Sequence, residues 1–411
     1  MRSKQRSRRD LTSRMTPRYS VYRNTIPIAL REALHKEPFG GRRTIGLRVV
    51  RFVQSRLQKY LTLAAHLDKR AMNGTVMKIA IFDVNHWHFP LYIDALKDPG
   101  IEVIGISDSA KFAGPRFSEV LNCKLYGSNV ELINQDFDFA LVFSRHSDMA
   151  ELAERLIAKG KPFLIEKPCG VTLEEVRRIR KLSEKNGVFV SVPFIQRVSE
   201  LADRLSPAAG FMPDGFQHLS FRFIVGSVAR YERNGCGWML EKALAGGGSM
   251  LNVGIHFIDL ISNLTQSPIT EVSGQVQIYR PDVTVDEQAV FTCRNSAGQI
   301  GVIETGYLYP ATADDQRDFA FSLSHRRSYI RGYADQFYAK SREQEKAHAA
   351  TIEYNTDEYY PVFLRRSWTD LASGRPPVAG LLEAERALAV VEAGYRSAAN
   401  GGAPEQVEPS S

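Results

Sequence analysis

Lys78-Ile79-Ala80-Ile81-Phe82-Asp83-Val84-Asn85-His86-Trp87-His88-Phe89-Pro90-Leu91 passes from an apolar run through a polar turn to a helical start. Its first five residues are nearly all apolar, as in a strand buried on both faces of a sheet. Pro90 suits a first helical turn, and Leu91, Ile93, Ala95 and Leu96 extend the helix to the Pro99-Gly100 stop. A second strand is expected over residues 101–106, ending in Ser107-Asp108, with further apolar strands at 139–143, 163–165 and 188–192. Between them lie helical stretches. One covers 149–159 and stops at Gly160; another opens on the capping box Thr172-x-x-Glu175 and closes at Asn186-Gly187. This alternation predicts a doubly wound α/β domain of Rossmann type over residues 77–195, binding its ligand beyond the carboxyl ends of the strands.

A dinucleotide-binding sheet carries G-x-G-x-x-G in the turn after its first strand. Here Asp83, Asn85 and His88 occupy the three glycine positions. Asn85 can take a left-handed conformation, but a side chain at the second position crowds the pyrophosphate and Asp83 adds negative charge beside it. Asp108 lies about 20 residues further on, at a strand end, where a carboxylate reads the adenosine ribose and favours NAD. Lys111 and Arg116 nearby leave NADP open. Ser144, Glu166 and Lys167 complete the expected cofactor-binding set with Asp83, Asn85, His88 and Asp108. His86 and His88 flank Trp87 without a third ligand in the sequence neighbourhood, so pocket-lining roles are expected and no metal.

Charge divides sharply along the chain. Residues 1–76 hold 18 basic and 4 acidic residues, whereas the remainder holds 35 and 42, so an overall charge of +7 conceals an acidic body. Such a body has no reason to attract nucleic acid. The basic extension carries a candidate amphipathic helix at 44–67, able to lie on a membrane, and its Arg-rich, acid-poor composition resembles a presequence. The other reading is an appendage ahead of a true start at Met77, which stands directly before a complete first strand. Cys123, Cys169, Cys236 and Cys293 have neither zinc spacing nor a disulfide pattern, and reduced thiols in a cytoplasmic protein are expected.

After Val192 the pattern changes. Runs at 217–224, 270–279, 287–293 and 300–308 are rich in β-branched and aromatic residues and predict a mainly antiparallel open sheet in an α+β domain over 196–400, with a tail at 401–411. One helix, expected over 249–264, follows Gly246-Gly247-Gly248 and sets Asn252, His256 and Asp259 on one face.

Glu166-Lys167-Pro168, followed by Gly246-Gly247-Gly248-Ser249-Met250-Leu251-Asn252-Val253-Gly254-Ile255-His256-Phe257-Ile258-Asp259, resembles the Gfo/Idh/MocA family of glucose-fructose oxidoreductases and inositol dehydrogenases. The likeness extends over about residues 77–400. It implies hydride transfer between a nicotinamide and a carbinol carbon of a sugar, cyclitol or related hydroxy compound, with Lys167 as the catalytic or orienting lysine. The peptide after that lysine is often cis in such proteins. The resemblance also implies His256 as proton-relay partner, and a homodimer or homotetramer. Asn252 replaces the family's aspartate and brings hydrogen bonds without charge. Arg197, Trp238 and Tyr307 are further candidates for the pocket. Two other readings stay open: a non-catalytic dinucleotide-binding or regulatory protein, and NAD-assisted glycoside cleavage or elimination.

Overall fold

The computed structural model describes residues 76–212, 215–312 and 316–410; the helix and other expectations for residues 1–75 lie outside the described residues. Strand β1 (Met77–Phe82) is almost wholly buried. It is flanked on one side by β2 (Ile101–Ser107) and on the other by β4 (Phe139–Val142), both parallel to it. With β3 (Lys124–Tyr126), β5 (Phe163–Ile165) and β6 (Val190–Ser191) the sheet runs β3-β2-β1-β4-β5-β6. This is the doubly wound order, and its switch point lies between β1 and β4.

The helix expected after β1 is corrected. The chain makes a 3-10 turn, Phe89–Tyr92, and then only four α-helical residues, α1 (Ile93–Leu96). The side chains of Phe89 and Tyr92 pack edge-on against Phe143, which holds this short element on the sheet. Helices α2 (Gly114–Leu121), α3 (Asn129–Leu132), α4 (His146–Ala158) and α5 (Leu173–Asn186) follow, and the short helices α6 (Glu200–Leu205), α7 (Ala229–Arg233) and α8 (Lys242–Ala245) come after the sheet. The capping box is present at α5: Thr172 accepts from the Glu175 N–H while Glu175 accepts from the Thr172 N–H.

The second sheet has nine strands in the order β14-β13-β12-β11-β7-β10-β9-β8-β15. Its centre is β7 (His218–Gly226), paired parallel with β10 (Ile300–Tyr309) and antiparallel with β11 (Arg317–Ser324). The meander β8 (Ile269–Gln277), β9 (Gln288–Asn295) and β10 lies on one side. On the other side are β12 (Ser328–Tyr333), β13 (Gln336–Ser341) and β14 (His348–Thr351), and β15 (Glu405–Gln406) pairs with the outer edge of β8. Alternation along β7 buries Leu219, Phe221, Phe223 and Val225. Phe221 and Phe319 stack on Phe257 at ring separations of 5.2 and 5.9 Å. Each such ring contributes about 2–3 kcal/mol by burial.

Phe257 belongs to the helix that carries the glycine motif. Its first part, Met250–Gly254, is wound as π-helix, and α-helix begins only at Ile255, in α9 (Ile255–Thr265). The helical run Lys242–Thr265 is long and apolar enough to cross a membrane, but 89% of its apolar window is buried inside the fold. Helix α10 (Tyr359–Ala372) packs against α1, and helix α11 (Leu381–Ala399) against β8 and α5. Arg365 of α10 pairs with Asp94 and Asp98, and Glu385 of α11 with Arg177 and Arg180 of α5. These pairs hold the two sheets so that the carboxyl ends of β1, β4 and β5 face the start of the glycine helix.

Candidate active site

Lys167 follows β5 and is completely buried, and its peptide bond to Pro168 is cis. Its Nζ donates to the backbone oxygen of Asn252 at 2.7 Å and to Asn252 Oδ1 at 2.5 Å. The Asn252 amide in turn donates to the hydroxyls of Tyr231, at 2.7 Å, and Tyr307, at 3.2 Å. Burial, with Arg230 acting in the same sense, lowers the ammonium to about 8 against the opposing pull of Glu166. Asn252 leaves this balance intact, because it satisfies the amine without adding a counter-charge.

Glu166, also fully buried, accepts from Tyr92 at 2.6 Å and faces His88 Nδ1 at 3.2 Å, and His88 Nε2 meets the Tyr360 hydroxyl at 3.2 Å. His86, His88 and Glu166 place one ligand atom each within 4.8 Å of the others. For His88 and Glu166 those atoms are already hydrogen-bonded, as just described. Burial drives His86, His88 and His256 well below the usual imidazole range, and His146 down to about 3. All four rings are therefore neutral near pH 7.

A cavity of about 340 Å³ is lined among others by Trp87, His88, Arg230, Asn252, His256 and Tyr360, and Lys167, itself behind that wall, is linked to it through Asn252. His256 Nδ1 has no partner among the described residues, so it is free to bond a hydroxyl placed there. Sequence reasoning thus brought together Lys167, Asn252, His256 and His88, but missed Tyr92, Arg230, Tyr231 and Tyr360, which no local motif marks. Asp286 was also missed. Its carboxylate accepts from Gly248 N, Met250 N, Ser249 Oγ and Tyr395 Oη and so starts the glycine helix. A Cβ on Gly248 would fall 2.0 Å from the Asp286 carbonyl oxygen, which explains the glycine there.

Two pocket expectations are corrected. Arg197 is consumed by a bidentate bond to Asp259, at 2.7 and 2.8 Å, and by the Val378 carbonyl. Trp238 is buried against His86 and His146, with ring separations of 5.8 and 4.9 Å. Tyr307 does reach the site, through Asn252.

At the switch point the first turn is built differently from a glycine loop. Asp83 takes the left-handed conformation, φ 60°, that the first glycine would take. Its carboxylate accepts from Ser109 N, Asn129 Nδ2 and Ser144 Oγ at 2.7–2.8 Å, tying together the ends of β1, β2 and β4. Asn85 donates to the carbonyl of Gly235. Asp108 spends Oδ2 on the N–H groups of Ala113 and Gly114 at the start of α2, while Oδ1 is buried without a partner among the described residues. That orphaned oxygen suits a ribose hydroxyl. Unpartnered His86 Nε2 and His146 Nε2 also lie near the switch point. The residues present therefore fit a dinucleotide at its ribose and nicotinamide ends, with a carboxylate-bearing turn at its middle.

Residues 86–194 match the model described as the oxidoreductase family, NAD-binding Rossmann fold, and residues 220–323 match the Gfo/Idh/MocA C-terminal domain, together just over half of the chain. The chain belongs to the Gfo/Idh/MocA oxidoreductase family. The first match begins at His86, so Asp83 and Asn85 lie outside the matched residues and His88 within them. The rhizopine catabolism protein MocA of Rhizobium meliloti is 25% identical over 219 residues, which span 51% of this chain and 65% of that protein. Among solved structures, an oxidoreductase domain protein from Kribbella flavida superimposes with a TM-score of 0.71 at 17% identity, over 82% of this chain and 100% of the other. An inositol dehydrogenase homolog from Azotobacter vinelandii, solved with NAD+, gives 0.70 at 14% identity, over 81% and 97%. At these identities the structural likeness is one of fold.

Proposed function

We propose that this chain is an NAD(P)-dependent oxidoreductase acting on a CH–OH group of a sugar, cyclitol or related hydroxy compound, with Lys167 handling the proton. The observation that carries this reading is the buried Lys167–Asn252 contact, whose Asn252 lines the cavity. NAD supplies the hydride acceptor or donor when bound. Asp108 Oδ1 would hold its ribose, and Glu166 and Lys167 lie at its nicotinamide end.

A neutral amine has two N–H bonds, and Asn252 offers two oxygens to receive them. The lone pair is what remains, and it is free to take the hydroxyl proton during oxidation. In reduction the third N–H of the ammonium donates to the carbonyl oxygen. An ordinary lysine would be almost fully protonated at neutral pH, whereas one lowered to about 8 exchanges a proton readily in this range. His256, neutral and with Nδ1 unpartnered, orients the same hydroxyl or its neighbour.

Lys167→Ala is expected to abolish the change in nicotinamide absorbance with any active polyol while leaving calorimetric NAD binding in place. Turnover surviving that substitution would remove Lys167 from the mechanism. The Asp83 turn and the Asn85–Gly235 contact favour a second reading, a family member that binds dinucleotide without turning it over; binding without hydride transfer across a broad polyol panel would select it. The proposal includes a cytoplasmic, reduced setting, supported by four free thiols, and pairing of subunits through the outer face of the large sheet, where Val290, Leu308 and Tyr329 are exposed. Sedimentation equilibrium tests the pairing.

A further inference from the structure

Each of four arginines wholly or largely removed from water in this fold meets a carboxylate. Arg180 pairs with Glu385, Arg197 with Asp259, Arg317 with Asp357, and Arg365 with Asp98. Arg230 differs. It lines the cavity, as Asn252 does, and among the described residues no carboxylate pairs with it, Asp357 acting on it only from a distance. Its guanidinium lies over the rings of Trp87, Tyr231 and Tyr307, at 5.3, 4.7 and 5.6 Å from their centroids. One NH2 bond goes to the Tyr231 hydroxyl at 2.6 Å, and Nε is buried with no partner among the described residues.

A guanidinium cannot shed its proton to relieve desolvation, as a lysine can. Cation–π contacts offset only part of that cost, so an unpaired arginine at a cavity wall calls for an anion from outside the chain. Among the described lining residues the remaining charges point the same way. Arg317 and Asp357 cancel at 3.0 Å, Arg233 adds positive charge, and His88 and His256 are neutral.

We infer that the cavity is built for a hydroxy acid, such as an aldonate or uronate, whose carboxylate is received by Arg230 while its hydroxyl lies at the Asn252 end, toward Lys167. The inference rests on the oxidoreductase reading for the reacting hydroxyl, but the anion site stands on Arg230 alone. The geometry is economical. Arg230 bonds Tyr231, Tyr231 bonds Asn252 and Asn252 bonds Lys167, so one continuous network fixes both ends of the ligand.

The test uses the full chain with saturating NAD and matched probes, D-glucuronate against D-glucose and D-gluconate against D-sorbitol, followed by calorimetry and by nicotinamide absorbance. At least one acid is expected to bind about tenfold or more tightly than its neutral partner, the gain of one charge-assisted bond. Arg230→Gln, which can still donate to Tyr231, should erase that preference, and Arg230→Lys, which keeps the charge, should restore part of it. Equal binding of acid and neutral partner, no binding of either acid, or an acid preference that survives Arg230→Gln in a folded variant would overturn the inference. If acids bind through Arg230 while NAD neither binds nor is reduced, the oxidoreductase reading fails and the anion site stands. If neutral polyols are oxidised without acid preference, the reverse holds.

Discussion

Asn252→Asp should raise the proton affinity of Lys167 sharply. The substitution puts a carboxylate oxygen where Oδ1 now accepts from Nζ at 2.5 Å. Two unit charges about 4 Å apart attract by about 4 kcal/mol at an effective dielectric of about 20. One pKa unit corresponds to about 1.4 kcal/mol, so an attraction of that size is worth about 3 units. Part of this is lost to desolvation of the new carboxylate, although the Tyr231 and Tyr307 hydroxyls can still bond it. The expected result is a midpoint raised from about 8 to about 10. At pH 7.5 the neutral fraction would then fall from about a quarter to below about one in a hundred. The measurement is NMR of lysine labelled with carbon-13 and nitrogen-15, titrated in both proteins, with the Lys167 resonance assigned through Lys167→Arg. Where turnover is detected, the acidic limb of the oxidation rate should move upward by the same interval. A midpoint unchanged or lowered in Asn252→Asp would refute the claim that an uncharged Asn252 keeps this amine poised near neutrality.

Asp259→Ala leaves Arg197 buried beside an empty place, and should destabilise the fold by about 3 kcal/mol, read from urea unfolding; a loss below about 1 kcal/mol would contradict the bidentate pair. Asp83→Gly relieves a left-handed aspartate but strands Ser144 and Asn129, so stability should fall by about 1–3 kcal/mol while calorimetry shows tighter NAD binding. Weaker NAD binding would mean that the carboxylate helps to hold the cofactor. His86, His88, His146 and His256 all have folded pKa values below that of the unfolded chain, so below pH about 6.5 the unfolded state takes up protons that the folded state refuses. Stability should therefore drop on acidification by up to about 5 kcal/mol per pH unit for the four together, and a urea midpoint constant from pH 6.5 to 5.5 would exclude this.

The first sheet was legible because its strands are short apolar runs separated by capping and stop signals that act locally, such as Thr172 with Glu175 and the glycine stops. Asn252, His256 and Lys167 were legible because motif spacing carries them to one place. The helix after β1 was misjudged because Phe89 and Tyr92 pack edge-on against Phe143, a tertiary demand that overrode a periodicity suited to α-helix. Strands β11–β14 and helix α10 went unrecognised; in β12 and β13 the run is short and mixes charge with aromatic residues. Arg230 and Asp286 gave no signal at all, because what distinguishes them is the partner each lacks or collects across the fold.

The placement of β7 has a kinetic consequence. It sits at the centre of the large sheet, yet neither neighbour is its successor in the chain: β10 and β11 both arrive after α9, β8 and β9 have been made. Loop closure over that separation is slow compared with the local β8–β9–β10 meander and the β11–β12–β13 hairpins. Refolding should thus produce two local sheet halves first, with β7 joining them late as the keystone. Until then its inward row of Leu219, Phe221, Phe223 and Val225 is uncovered and open to self-association, so recovery from denaturant should fall as protein concentration rises.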